Sequence, residues 1–255
     1  MAPHIVPMAF LGAVMPRESL TAKRERAVEV CRRMNDLYPQ AECALHFSDP
    51  FTLVIAVLLS AQTTDVAVNK VTEVLFDRWP TPADLAAAPL DEVEEVLHPL
   101  GFYRSKARHA TACAQMIVAD YSGAVPATME ELTRLPGVGR KTANIVLNNA
   151  FGIVEGIAVD THVFRIATRL GFTSAKEPLD AEQDLLKLVP SDLWGPVNHQ
   201  WVLFGRQVCD ARKPTCLAEN ASCPLADICP SAGKPPKTKA QTRAAATHKK
   251  KPSKP

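Results

Sequence analysis

The sequence predicts an all-α fold, and three observations support this prediction. Apolar residues recur at helical spacing through most of the chain, as they do in residues 24–38. Helix start signals also recur, since Ser48 and Asp49 offer capping side chains directly before a proline. No segment alternates convincingly between apolar and polar residues, because Gly156 interrupts the best strand candidate, residues 153–159. We therefore expect helices joined by turns.

Prolines and glycines set the ends of the predicted helices. The first helix covers residues 24–38 and ends at Pro39. The second follows Pro50 and ends near Gln62; its apolar run, residues 51–61, is too short to span a bilayer and predicts a buried helix. The remaining predicted helices cover residues 65–79, a short segment from Thr81, and residues 89–98, 105–121, 126–132, 140–150, 160–170, 178–189 and 192–208.

The modest net charge of +2 conceals a strong asymmetry along the chain. Residues 231–255 hold eight of the 29 basic residues and no acidic residue. Residues 1–230 keep the other 21 basic residues against 27 acidic ones, so this part has a net charge of −6. A tail rich in Pro, Lys and Ala cannot bury a core, so we expect it to be disordered. Its charge predicts nonspecific attraction to nucleic acid.

The N-terminal segment is apolar but lacks the basic start of a secretory signal. We therefore expect residues 1–18 to form a disordered extension, with a translation start at Met15 as the alternative. The predicted protein is cytoplasmic and has no membrane partner. Its 255 residues suffice for one large domain or two small ones.

Four of the seven cysteines lie close together near the C-terminus. Six, six and five residues separate them in turn, and an odd total of cysteines is unusual for a disulfide framework. The pattern indicates metal binding in a reducing compartment. Thiolates of this kind suit an iron–sulfur cluster or zinc. The four candidate ligands are Cys209, Cys216, Cys223 and Cys229.

A glycine-containing turn, residues 135–141, precedes the helix predicted from residue 140. Gly137 and Gly139 let backbone amides approach an anion closely, which predicts a phosphate-binding turn. Lys141 lies at the positive end of the helix dipole, which favours its neutral, nucleophilic form. A neutral amine beside a phosphodiester indicates chemistry on nucleic acid. The alternative is a plain helix-turn-helix connection with an exposed lysine.

Asp160 follows Lys141 by nineteen residues and is predicted to cap a helix. A capping carboxylate accepts backbone N–H bonds that favour its ionised form. Such a group is suited to stabilising positive charge that develops on a sugar. A purely structural cap is the alternative, and the two roles are compatible.

Residues 135–144, 158–165 and 58–69, together with the terminal cysteines, resemble the endonuclease III family of DNA glycosylases. The likeness runs in unbroken order through residues 20–230. It implies a helix-hairpin-helix fold in which two helical domains flank a DNA-binding cleft. The implied division is a six-helix barrel of residues 43–153, with the hairpin around 127–150, and a cluster-bearing domain of residues 19–42 plus 154–230, followed by the tail 231–255.

The resemblance also implies an activity. The protein would be a monomeric, bifunctional glycosylase and AP lyase that excises oxidised pyrimidines from damaged double-stranded DNA and cuts 3′ to the abasic site. Lys141 matches the family's Schiff-base lysine, and Asp160 matches its essential aspartate. Gln62 and Phe102 match the residues that fill the gap left by the flipped nucleotide. Without the resemblance, Gln62 is a polar helix-end residue and Phe102 a core aromatic. The remaining implied DNA contacts are Leu135, Gly137, Gly139, Arg140, Arg212 and Lys213.

The cysteine spacing departs from the family pattern, which is six, two and five. Four extra residues lie within residues 217–222. Lengthening a polar loop costs little entropy, so closure on the same group stays feasible. We expect a [4Fe–4S] cluster, with zinc as the alternative.

Three other functions remain open from the sequence. A related class removes adenine from mismatches without a Schiff base, and Lys141 argues against it. A noncatalytic DNA-binding protein and a redox sensor are the further alternatives. The residues do not fix the range of lesions, pyrimidine dimers included.

Overall fold

The computed structural model describes residues 18–217 and 222–235. Within these ranges the chain forms eleven α-helices and two short 3₁₀ helices and contains no strand, so the all-α prediction is confirmed. The α-helices are α1 (Leu20–Leu37), α2 (Pro50–Leu59), α3 (Asp65–Arg78), α4 (Pro82–Ala87), α5 (Leu90–Leu97), α6 (Tyr103–Tyr121), α7 (Met129–Leu132), α8 (Arg140–Phe151), α9 (Thr161–Arg169), α10 (Pro178–Leu188) and α11 (Trp194–Gln207). The 3₁₀ helices are Ser191–Leu193 and Thr215–Leu217.

Several helix ends differ from the predictions, and local capping explains two of them. Helix α1 begins earlier than expected because the Ser19 side chain accepts a hydrogen bond from the Ala22 amide. Helix α7 begins only at Met129, where Thr128 provides the cap. The helix predicted from residue 192 starts as the 3₁₀ helix Ser191–Leu193 and becomes α11 at Trp194.

A first hydrophobic core surrounds α2. All nine residues from Phe51 to Leu59 are buried, so the prediction of a buried helix is confirmed. Asp49 and Thr52 cap its start reciprocally, and Pro50 occupies the first turn. Helices α3, α6 and α8 pack against α2, while α4 and α5 pack on α6. This core runs from Leu45 to Ala158.

A second core combines the N-terminal helix with the C-terminal third of the described chain. Helices α1, α9, α10 and α11 surround Met34, Trp201 and Phe204, which are almost fully buried. Arg33 fastens α1 to the C-terminal segment, donating to the Asp227 carboxylate at 2.6 Å and to the Pro224 carbonyl at 2.8 Å.

The segment just before α9 runs along the seam between the two cores. Ile157 and Val159 belong to the second core, whereas Ala158 belongs to the first. The Asn198 side chain donates to the Ala158 carbonyl at 2.7 Å. This arrangement gives residues 157–159 a strand-like alternation: successive residues face opposite cores, although no described strand pairs with them.

Among the polar contacts that join the cores in the described part of the chain, two are ion pairs. Arg140 on α8 donates through Nε to a Glu182 carboxylate oxygen on α10 at 2.9 Å. Asn144 donates to the other oxygen of this buried carboxylate, also at 2.9 Å. Arg206 on α11 pairs with Asp65 at the start of α3 at 2.9 Å. The space between the two contacts holds the candidate active site.

In the parts of the chain that the structure describes, no helix is both long enough and apolar enough to cross a membrane. The predicted N-terminal extension, apart from residue 18, lies outside the described residues. So do residues 218–221 of the extra segment between the cysteines and residues 236–255 of the predicted tail.

Candidate active site

The glycine turn joins α7 to α8, and its two glycines serve different purposes. Gly137 has a φ of +79°, and a Cβ there would lie 2.9 Å from Leu58 Cδ1 and 3.0 Å from His109 Cβ. This position therefore requires glycine for both conformation and space. Gly139 is the N-cap of α8 with a φ of −95°, and a Cβ there would meet nothing within 4 Å. Gly139 therefore leaves open space at the start of α8.

The first turn of α8 leaves its amides free for an anion. No described side chain caps this helix end, and Gly139 supplies only its carbonyl, which accepts from Ala143 at 2.9 Å. Free amides at a helix N-terminus, together with the helix dipole, attract phosphate. The geometry suits the phosphate-binding turn that the sequence predicts.

Two of the DNA contacts expected in this turn are engaged elsewhere. Leu135 is only 2% exposed, and its side chain anchors the turn in the first core. Arg140 directs its Nε to the buried Glu182 carboxylate. Sequence reasoning missed this ion pair because Glu182 lies 42 residues away and belongs to no motif.

Lys141 and Asp160 line the same cavity, although α8 belongs to the first core and α9 to the second. Asp160 caps α9 through one carboxylate oxygen, which accepts from the His162 and Val163 amides at 2.8 Å each. The volume of the cavity is about 100 Å³. Its other polar lining residues are Glu42, Cys43, Ser60, Asp65, Asn198, His199 and Arg206.

Most of these polar lining residues escaped sequence reasoning. Asp65 reads only as a helix start, and α11 carries no motif that distinguishes His199 or Arg206 from ordinary helix residues. Only the packing of α11 against the seam brings them to Lys141. Burial lowers the pKa of His199, while the carboxylates of Asp160, Asp65 and Glu42 oppose that shift.

The three remaining cysteines lie in different surroundings. Cys31 and Cys113 are buried, and burial raises the pKa of each thiol to about 12, so both are packed thiols rather than nucleophiles. Cys43 is half-buried and lines the cavity with Lys141. Burial also raises the pKa of the Cys43 thiol.

Gln62 and Phe102 are both exposed and both have left-handed backbone conformations, with φ of 54° and 58°. Phe102 is 70% exposed, so its alternative interpretation as a core aromatic is wrong. The buried Lys106 links their turns: its amide donates to the Phe102 carbonyl, and its Nζ donates to Thr63 Oγ1 beside Gln62. Sequence reasoning missed Lys106 because lysines on amphipathic helices are usually exposed.

The four C-terminal cysteines line one cavity on the second core, beside Arg169 and Leu225. Arg169 Nη1 lies 3.1 Å from Cys209 Sγ. Burial, reinforced by the neighbouring cysteines, raises the pKa of the Cys223 and Cys229 thiols. No three or more His, Cys, Asp or Glu side chains within residues 18–217 and 222–235 converge closely enough to hold a metal ion.

A basic loop, residues 210–213, follows the first of these cysteines. Asp210 Oδ1 accepts from the Arg212 and Lys213 amides at 2.8 and 2.9 Å. These backbone hydrogen bonds lower the pKa of the Asp210 carboxyl. The turn holds Arg212 and Lys213 in exposed positions, as a phosphate contact requires.

Comparison with known proteins identifies the family. The model of the HhH-GPD superfamily of base excision DNA repair proteins matches residues 55–191. Endonuclease III of Synechocystis sp. is 46% identical over 213 residues, which cover 84% of this chain and 95% of that protein. The chain belongs to the endonuclease III family. Endonuclease III of Escherichia coli K12 is 41% identical over 206 residues, covering 81% of this chain and 95% of that protein.

Solved structures of the endonuclease III family agree with this assignment. A trapped endonuclease III–DNA covalent intermediate is 43% identical, with a TM-score of 0.77 over 83% of this chain and 97% of that one. A noncovalent endonuclease III–DNA complex matches equally well. A thermostable thymine-DNA glycosylase shares the fold at 23% identity and a TM-score of 0.74.

Proposed function

We propose that this endonuclease III family member is a bifunctional DNA glycosylase and AP lyase of base excision repair. It acts on damaged pyrimidines in duplex DNA. The observation that carries the proposal is the meeting of Lys141 and Asp160 at one cavity, from helices of different cores. The 43% identity to an endonuclease III trapped covalently on DNA supports the same chemistry.

Access to the sugar requires that the damaged nucleotide leaves the stack, because C1′ is out of reach within a duplex. Phe102 and Gln62 are placed to fill the resulting gap: both are exposed, and their turns are tied together through Lys106. Apolar wedges that enter a base step hold the unstacked geometry.

Covalent chemistry follows at the exposed sugar. The Lys141 amine attacks C1′ and displaces the base, while the Asp160 carboxylate stabilises the positive charge that develops on the sugar. The resulting iminium acidifies the C2′ protons. β-Elimination then breaks the bond to the 3′-phosphate and cuts the strand.

Phosphate binding positions the duplex without reading its sequence. The free amides in the first turn of α8, after Gly139, receive one phosphate, and the exposed Arg212 and Lys213 contact another part of the DNA backbone. Arg140 supports the turn through Glu182 and adds positive charge beside it.

Cys209, Cys216, Cys223 and Cys229 are proposed to hold a [4Fe–4S] cluster. They share one cavity, and four soft thiolates suit iron–sulfur ligation. When bound, the cluster serves as a structural tie for the segment that carries Arg212 and Lys213. Visible charge-transfer absorbance with an iron assay tests the assignment.

The two cores support a division into two domains, residues 43–153 and residues 19–42 plus 154–230. Residues 231–235 belong with the second domain rather than with the tail, since Ser231 and Lys234 line the cysteine cavity. The enzyme is proposed to act as a monomer in a bacterial-type cytosol.

Borohydride trapping tests the proposed function. The full-length protein is incubated with a duplex that carries one oxidised pyrimidine, and sodium borohydride is added. Wild-type protein is expected to form a covalent protein–DNA adduct, and Lys141→Ala is expected to form none. Lys70→Ala, at an exposed lysine that does not line the cavity, is the matched control and retains the adduct.

If wild-type protein forms no covalent adduct, the proposed lyase activity is contradicted. Release of free base without an adduct then identifies a glycosylase that acts without a Schiff base. Binding without base release identifies a noncatalytic DNA-binding protein.

A further inference from the structure

His199 lies in the candidate active site, and none of the chemistry described so far uses it. It projects from α11 into the cavity that Lys141 and Asp160 line. The residue is half-buried, so part of the ring stays accessible. A histidine beside the nucleophile is a candidate for proton transfer, provided that one ring nitrogen is free.

The contacts of Asn149 fix which ring nitrogen carries the proton. Asn149 Nδ2 donates to the Ile145 carbonyl at 2.8 Å. A carbonyl only accepts, so the amide nitrogen must face Ile145, and Asn149 Oδ1 must face His199. His199 Nε2 lies 3.1 Å from that Oδ1 and therefore donates. The neutral ring thus keeps its proton on Nε2 and its lone pair on Nδ1.

His199 Nδ1 is the accessible nitrogen of the ring. No described residue hydrogen-bonds to it, whereas Nε2 is held by Asn149. Within the described residues, a few buried side-chain nitrogen and oxygen atoms lack a hydrogen-bond partner, and His199 Nδ1 is not one of them. This unpartnered atom is therefore not fully buried. The ring therefore presents a fixed lone pair at the cavity.

We propose that His199 Nδ1 is the base that removes the C2′ proton during β-elimination. This inference rests on the proposed function, since it assigns a step of the lyase reaction. It makes His199 a catalytic residue beside Lys141 and Asp160. Asp160 already accepts two backbone N–H bonds, which suits it to stabilising a cation rather than to taking up a proton.

The step balances as follows. Lys141 holds C1′ as an iminium. His199 Nδ1 takes the C2′ proton, and the electrons of the C2′–H bond form a C1′–C2′ double bond while the iminium nitrogen becomes neutral. The enamine then expels the 3′-phosphate with the electrons of the C3′–O3′ bond. Water hydrolyses the remaining conjugated iminium and frees the Lys141 amine, and the His199 proton passes to solvent.

The charges around His199 suit both states of the ring. Burial lowers the pKa of His199, so the free enzyme holds the neutral form that accepts a proton. The carboxylates of Asp160, Asp65 and Glu42 then stabilise the imidazolium once it forms. Two cations share the cavity with His199, namely Lys141 on α8 and Arg206 on α11. Arg206 lies seven residues after His199 and is paired with Asp65.

A single-turnover experiment separates this step from Schiff-base formation. Full-length wild type and His199→Gln are mixed with a duplex that contains one preformed abasic site. Glutamine keeps a donor that can reach Asn149 but supplies no base. Borohydride added at successive times measures trapped adduct, and parallel samples without borohydride measure strand cleavage.

His199→Gln is expected to trap DNA at the wild-type rate but to cleave the strand about 100-fold more slowly, as expected for loss of a general base. His46→Gln, at an exposed histidine outside the cavity, is the control and keeps both rates. A second variant, His199→Ala, is expected to regain cleavage when imidazole is added.

Equal loss of trapping and cleavage in His199→Gln, or wild-type cleavage in that variant, overturns the inference. Failure of imidazole to restore cleavage in a folded His199→Ala also overturns it. A wild-type protein that traps no DNA instead contradicts the proposed function, so the two failures are distinguishable.

Discussion

Gln62 and Phe102 hold left-handed backbone conformations that residues other than glycine rarely adopt. Each such residue costs of order 1–3 kcal/mol, which the surrounding structure must offset. Exposing an aromatic ring adds a further cost, since Phe102 is 70% exposed. These two unfavourable features on linked turns support the proposed contact of both residues with DNA.

The stability of the core does not explain why a lysine occupies position 106. Its side chain is 5% exposed, and burial lowers the pKa of its ammonium group. Thr63 provides its one described side-chain partner. Within a core, an apolar residue of similar length is often as stable as a buried charge or more stable. We therefore attribute the role of Lys106 to its hydrogen bond with Thr63, which links the two turns.

We predict that Lys106→Met leaves the free energy of unfolding unchanged or raises it at neutral pH. The same change is expected to slow nucleotide flipping, measured by the fluorescence of 2-aminopurine beside the lesion. Lys106→Ala is the matched control and should lose about 2 kcal/mol or more because it leaves a cavity. A loss of that size in Lys106→Met would contradict the prediction.

The pH dependence of this difference has a definite sign. The pKa of Lys106 is lower in the folded protein than in the unfolded chain. Between the two values the unfolded chain binds more protons, so wild-type stability rises with pH there. The difference in free energy of unfolding between Lys106→Met and wild type should therefore become smaller as the pH approaches 10.5, the ordinary pKa of lysine.

At the level of elements, the start of α8 leaves a stabilising option unused. Ser, Thr, Asp or Asn at an N-cap stabilises a helix by about 1 kcal/mol relative to alanine and by roughly a few tenths of a kcal/mol relative to glycine. Gly139 occupies this position with open space around it. The free amides and the space are both available to a phosphate only because a capping side chain is absent.

We predict that Gly139→Asp stabilises the protein by about 0.5–1 kcal/mol while weakening duplex binding more than tenfold. The new carboxylate caps α8 and repels phosphate. Thermal unfolding and fluorescence anisotropy with a labelled duplex measure the two effects. Gly137→Ala is the contrasting variant: strain at φ +79° and contact with Leu58 should cost about 2 kcal/mol or more. Unchanged DNA affinity in Gly139→Asp would refute the prediction.

The helices were largely predictable because their signals are local. Caps such as Asp49 and apolar spacing along α2 lie within a few residues of the elements they define. The glycine turn was predictable for the same reason. The partners of Glu182 and His199 come from distant segments, so no local pattern reveals them. Gly156 illustrates the limit: it reads as a strand breaker, whereas a Cβ there would collide with Glu182.

At the level of the whole molecule, charge is distributed unevenly. Residues 1–230 have a net charge of −6, although the proposed substrate is a polyanion. Local features, namely the helix end at Gly139 and the loop of Arg212 and Lys213, provide attraction within the described residues. Residues 236–255 hold seven basic residues and no acidic one.

We predict that removing residues 236–255 weakens duplex binding and flattens its dependence on salt. Each lost phosphate contact should reduce the slope of log K against log salt concentration by about 0.9. The truncation spares Ser231 and Lys234, which line the cysteine cavity. A full-length variant with the seven basic residues replaced by glutamine separates charge from length. An unchanged slope in both proteins would refute the idea.

The seam between the cores affects how the protein loses its activity. Lys141 and Asp160 belong to separately packed halves, and their alignment depends on the short run of residues 157–159 and a few polar ties. A slight slip between the halves separates the two groups while each core stays intact. Mild heating is therefore expected to abolish activity before either core unfolds.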